Sequence, residues 1–175
     1  MAKTVPTPDD PTVLLVDDNL MFLRVLSAVL EKGVPAFRTH GVTTGAAALA
    51  YLCDGVAGPA SGTPDFILLD FHLPDLDAPD VVQKLRRSLS SANIPVLVLT
   101  QAHWAEDEAA ALAAGATAFH AKPSSLAELR RLIVEFWQRE VRPPLDVTSS
   151  EVACSLGSPT IPIHFRHWRW TAGGQ

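Results

Sequence analysis

Cysteine is nearly absent. Cys53 and Cys154 are the two in 175 residues; they lie far apart in dissimilar surroundings, and neither belongs to a CxxC or Cys/His spacing. A disulfide framework and a zinc centre are therefore excluded as organising features, and a reducing compartment, the cytoplasm, fits best. Long apolar runs are missing as well. Nowhere do about 18 apolar residues follow one another, so no membrane span is expected, and the N-terminal Met-Ala-Lys-Thr-Val-Pro-Thr-Pro-Asp-Asp lacks the apolar core of a secretory signal. Basic charge is in deficit, with 14 Lys and Arg against 19 Asp and Glu for a net charge of −5, which argues against direct nucleic-acid binding. The deficit is uneven: residues 1–140 carry 17 acidic and 11 basic side chains, residues 141–175 carry 2 and 3. No GxxxxGK[ST] loop or GxGxxG turn is present to cradle a nucleotide.

Apolar material is plentiful. Hydrophobic residues make up 47% of the chain, enough for a sizeable core. Residues 1–11 hold Pro6, Pro8 and Pro11 among polar neighbours and read as a flexible leader. Residues 12–140 read as one domain. Residues 141–175 are rich in Pro, Ser, Thr and Gly without periodicity, and read as a low-order tail with no effector domain of its own; His164 to Trp170 mixes aromatic and basic side chains there.

Within 12–140 the pattern alternates. Val13–Val16 is a short apolar run ending in Asp17 and Asp18; Asn19 is a good cap for a helix over 20–32, with Gly33 available to close it. A weaker strand over 36–40 leads to Thr44 and an alanine-rich helix over 45–54. After a loop, Gly55 to Pro64, the run Phe66–Leu69 ends in Asp70. A helix over 77–88 follows, then a strand from Ile94 to Thr100, with Pro95 tolerable near its start. A helix over 105–114 is stopped by Gly115, a strand spans 117–121, and Ser125 with Glu128 has capping-box spacing for a helix to about residue 140. Apolar runs bounded by turn signals are strands buried on both faces of a parallel sheet. Five strands alternating with five helices therefore call for a doubly wound α/β sheet.

The strand ends carry the chemistry. Asp17, Asp18, Asp70 and Thr100 close apolar strands, Lys122 follows the fifth, and in a parallel sheet these ends share one edge, where open α/β sheets place their ligands. Three carboxylates at one edge repel one another and lose hydration, and a divalent cation relieves both. Magnesium suits such a site, because it takes oxygen ligands, keeps waters and partners phosphate. Lys122 adds a positive charge and Thr100 a hydroxyl for phosphoryl oxygens, and an Asp carboxylate can itself carry the phosphoryl group. Individually Asp17–Asp18 would read as a capping pair, Thr100 as a structural strand end and Lys122 as a surface lysine; their joint placement carries the inference.

The stretches Val13-Leu-Leu-Val-Asp-Asp-Asn19, Ile67-Leu-Leu-Asp-Phe-His-Leu-Pro-Asp-Leu-Asp77, Ile94-Pro-Val-Leu-Val-Leu-Thr100 and Ala114-Gly-Ala-Thr-Ala-Phe-His-Ala-Lys-Pro123 resemble, in order and spacing, the receiver domain of two-component response regulators. The resemblance covers about residues 12–140. It implies a flavodoxin-like receiver fold of strand order 2-1-3-4-5 and a role in a phosphorelay, with Asp70 as phosphoacceptor for a sensor histidine kinase. It further implies that Asp18, Asp70 and the backbone carbonyl of His72 ligate Mg2+, with Asp17 acting through water. Thr100 and Lys122 would hold the phosphoryl group, Lys122–Pro123 would be a cis peptide, and Phe119 would be the aromatic switch position, gaining packing but no hydrogen bond when inward. The chain is not expected to be an enzyme beyond self-catalysed phosphotransfer and autodephosphorylation.

His72 and Gln101 depart from the family's smaller residues at their positions and put the phosphate lifetime in question; Ala78 replaces a usual Gly. The loop Ala57–Thr63, Val98 to Asp107 and Glu135-Phe-Trp137 resemble single-domain regulators paired with bacterial phytochromes, which implies a bacteriophytochrome kinase and a homodimer through the last strand and helix. The alternative is a degenerate receiver that serves as a dimerisation scaffold, with Gln101 blocking chemistry. A haloacid-dehalogenase-like phosphatase would need an Asp where His72 stands. His40, His103 and His120 show no ligand spacing, Cys53 reads as an inert helix residue, Trp104 as exposed helix-start packing, and Phe136 and Trp137 as core or dimer contacts.

Overall fold

The apolar runs lie side by side. The computed structural model describes residues 6–7, 9–53, 63–88, 91–102 and 104–142. The loop expected over 55–64 (except residues 63 and 64), the tail beyond Arg142, Cys154 and His103 lie outside the described residues. Strands β1 (Thr12–Val16), β2 (Arg38–Val42), β3 (Phe66–Asp70), β4 (Val96–Thr100) and β5 (Ala118–Ala121) alternate with helices α1 (Leu20–Glu31), α2 (Gly45–Cys53), α3 (Ala78–Arg87), α4 (Ala105–Ala113) and α5 (Leu126–Phe136). The strands form one parallel sheet in the order β2-β1-β3-β4-β5, the doubly wound architecture expected from the alternation.

The pleat sorts the side chains into two cores. Leu14, Val16, Ile67, Leu69, Val96 and Val98 pack with Leu52 of α2, Val81, Val82 and Leu85 of α3 and Ala111 of α4. Val13, Leu15, Phe66, Leu68, Leu97 and Leu99 pack with Leu23, Leu26 and Leu30 of α1 and Leu129, Ile133 and Phe136 of α5. All residues of β1, β3 and β4 are buried, as helices on both faces require. Among the described residues no helix is long and apolar enough to cross a membrane.

Caps behave as read. Asn19 Oδ1 accepts from the Phe22 amide at 3.0 Å, and Ser125 Oγ accepts from Glu128 at 3.2 Å. Other boundaries shift for identifiable reasons. The second strand runs over 38–42 rather than 36–40, because Phe37 is consumed by the core: its ring meets Phe66 and Trp137 edge-on at 5.9 and 5.6 Å. The strand proper lies at the sheet edge and is only half-buried. The fourth strand begins at Val96, after Pro95, whose carbonyl accepts from Ile67 at 2.9 Å. Gly33 does not close α1 in a left-handed turn; Lys32 is its C-cap. The last helix changes at Phe136 to a π-helical turn over Trp137–Val141.

Gly115, at φ 104°, ends α4 as expected, and it is also where α3 is anchored. The Arg86 side chain lies against Gly115, with Cγ 3.0 Å from where a Cβ would stand. Its guanidinium donates to the carbonyls of Gly115 (3.0 Å), Ala92 (3.0 Å) and Ile94 (2.9 Å). One side chain thus closes the loops at both ends of the β4–α4 unit. Arg86→Ala leaves those carbonyls short of a charged donor and is expected to destabilise the fold by about 2 kcal/mol, read as a lower urea midpoint at unchanged m-value. An unchanged midpoint would show that the clamp contributes nothing.

Candidate functional site

Register determines what meets at the carboxyl edge. Val16 aligns with Leu69, Asp70 with Leu99 and Thr100 with Ala121, so the residues that close β1, β3 and β4, and the one that follows β5, converge. Asp17, 4% exposed, receives the Asn19 amide on Oδ1 at 2.9 Å, and its own N–H donates to Val42 O at 3.1 Å. Lys122 Nζ reaches Asp17 Oδ2 and Asp70 Oδ1, both at 2.6 Å, and lies 4.9 Å from the centre of the Phe22 ring. Asp18 is exposed; one carboxylate oxygen from each of Asp17, Asp18 and Asp70 lies within 4.8 Å of the others. The four charged groups expected together are together.

The remaining candidates surround them. A cleft of about 600 Å³ opens over the cluster, lined among others by Asp18, Asn19, His72, Gln101, Lys122 and Ser124. Gln101 is exposed at its wall rather than filling it. Thr100 is 2% exposed, and its hydroxyl donates to Ala102 O at 2.8 Å. His72 stands at the mouth, with Nδ1 3.1 Å from Asp77 Oδ1. Phe119 lies inward, packed edge-on against Phe71 at 5.8 Å. One expectation is corrected: Lys122–Pro123 is not cis, and the cis bond among the described residues is Val34–Pro35. Both are X-Pro bonds with a small isomer preference, which residue type alone does not resolve.

Sequence reading missed the supporting contacts. The Phe22 ring lies under Lys122 and the Ala102 carbonyl accepts from Thr100, and neither contact has a signal in the sequence pattern. Asp75 and Asp77 tie the loop after Asp70 through partners visible only in three dimensions.

Burial pushes the Asp70 carboxyl above its ordinary value; Lys122 pulls it back, and the charges of Asp17 and Asp18 add to the rise. For Lys122 burial acts downward, but the hydrogen bonds to Asp17 and Asp70 outweigh it and hold the ammonium above its ordinary value. The pair is thus unequal: the lysine gains from the cluster and Asp70 is held at a cost. A raised carboxyl pKa means that ionised Asp70 lowers stability above its folded-state value and that the penalty fades as pH falls through it. With divalent ions chelated, Asp70→Asn is therefore expected to melt higher than wild type at neutral pH, with the difference shrinking under acid. A lower melting temperature for Asp70→Asn at neutral pH would contradict this balance.

Comparisons with known proteins agree with the geometry. The family model "Response regulator receiver domain" matches residues 13–134. The DNA-binding dual master transcriptional regulator RpaA of Synechocystis is 30% identical over 158 residues, covering 89% of this chain but 61% of that protein. The response regulator Rcp1 of the same organism is 29% identical over 135 residues, 75% of this chain and 92% of its own length. The Mn(2+)-bound form of Rcp1 superposes with a TM-score of 0.61 at 26% identity, over 75% of this chain and 94% of that one. The response regulator RPA3017 of R. palustris, solved in the context of red light signalling, gives a TM-score of 0.65 at 26% identity over 73% and 92%. With the strand order, the acidic cluster and the bridging lysine in their places, the chain belongs to the response regulator receiver family of two-component systems.

Proposed function

We propose that this chain is a phosphorylation-dependent signalling module that accepts a phosphoryl group on Asp70. The carrying observation is the placement of the Asp70 carboxylate at the end of β3, 2.6 Å from Lys122 and beside Asp17 and Asp18. A carboxylate oxygen of Asp70 attacks the phosphorus of a sensor kinase's phosphohistidine; the P–N bond breaks as the P–O bond forms. Hydrolysis reverses the state: water attacks phosphorus, the P–O bond to Asp70 breaks and phosphate leaves.

The oxygen-only donor set fits a divalent cation, and magnesium is the proposed one, held by Asp18, Asp70 and the His72 carbonyl with Asp17 through water. It would supply positive charge beside the transferring phosphoryl group. Lys122 pairs with another phosphoryl oxygen. Thr100, whose hydroxyl now serves Ala102, turns it to the phosphoryl group. The open cleft supports chemistry over a blocked scaffold, because Gln101 leaves space for the phosphoryl group. The acidic domain supports a protein partner rather than nucleic acid. The proposed kinase is a bacteriophytochrome, the proposed place the cytoplasm, and the proposed homodimer pairs the region of β5, an edge of the sheet, and α5.

The test is incubation with magnesium and a small acyl phosphate. Intact mass should rise by one phosphoryl group in wild type, with no gain in Asp70→Ala, and Lys122→Ala should slow the gain by about 10²-fold, the effect of removing one donor to a developing charge. A folded wild-type protein that gains nothing overturns the phosphoacceptor reading.

A further inference from the structure

The loop between Asp70 and α3 is tied at two places. At its base His72 and Asp77 form an antiparallel bridge, and the Ala78 amide donates to Phe71 O at 2.9 Å. At its tip Asp75 leaves its own loop: Oδ1 accepts from the Gly45 amide and Oδ2 from the Ala46 amide, each at 2.8 Å. These are first-turn donors of α2 that have no partner within the helix, and they hold the Asp75 carboxyl below the usual carboxylate value, the Ala46 bond contributing most. The neighbouring Leu76 completes the contact. A Cβ on Gly45 would stand 3.1 Å from Leu76 Cβ and 2.8 Å from Val81 Cγ2, so the glycine lets α2 approach the loop closely.

The base of the loop is fixed by that bridge and by the burial of Phe71 and Ala78, while its tip is held on the other side by a carboxylate that grips two adjacent amides of another element. His72 lies between these two anchors, at the wall of the cleft. We propose that Asp75 is a positioning residue for the divalent-cation site: it straps the β3–α3 loop to the first turn of α2 and thereby aims the His72 carbonyl. The inference rests on the metal site proposed above.

Calorimetric titration of the full chain with Mg2+ tests it. Asp75→Ala should weaken binding by about tenfold, the lower end for losing a group that orients a ligand. Asp75→Asn, which keeps one acceptor, should fall between that variant and wild type. Thr44→Ala is the control, since Thr44 Oγ1 also caps α2, at 3.1 Å from the Ala47 amide within that helix; it should bind Mg2+ like wild type. Unchanged affinity in Asp75→Ala, or an equal loss in Thr44→Ala, overturns the strap and leaves the metal site standing. Wild type that binds no Mg2+ overturns both.

Discussion

One ammonium group holds the site together. Lys122 Nζ sits between Asp17 and Asp70 at 2.6 Å from each, where water has little access to any of the three. Without it, the buried Asp17 and Asp70 would face each other and Asp18 with no countercharge, and separation or protonation would follow. The lysine answers a constraint that the sheet creates by ending two neighbouring parallel strands, β1 and β3, in acids at one edge. It also makes the edge responsive, because a pairing of this kind can be redistributed when another positive charge arrives.

The scaffold supplies rigidity where the charges are and adjustable contacts around them. Buried strands align Val16 with Leu69 and Asp70 with Leu99, so the carboxylates are placed by ladder hydrogen bonds and two packed cores. Around them, the Thr100 hydroxyl donates to the Ala102 carbonyl, the His72 ring meets Asp77 and Phe119 packs edge-on against Phe71. Phe119 has no hydroxyl to compete for water, and its ring is buried edge-on against Phe71, which favours its inward position.

Much of this was legible in the sequence, and the reason is local. Asp70 stands out because it closes an unbroken apolar run, and Asn19, Ser125 and Gly115 announce helix ends through their own backbone chemistry. What stayed hidden depends on contacts between distant residues. Phe37 looked like a strand residue because hydrophobicity marks burial without saying in which element. The contacts of Arg86 and Asp75 leave no trace in the pattern, because each reaches a carbonyl or an amide some 30 positions away.

Lys122 is the internal counter-ion of the acidic cluster, and the most direct measurement of this is the stability of Lys122→Met with and without Mg2+. The apolar replacement keeps the stem and removes the charge. In chelator the variant should lose about 3 kcal/mol, as expected when one partner of a buried ion pair is deleted, and saturating Mg2+ should return more stability to it than it adds to wild type. A variant as stable as wild type in chelator, or one to which Mg2+ adds no more than it adds to wild type, would contradict the claim.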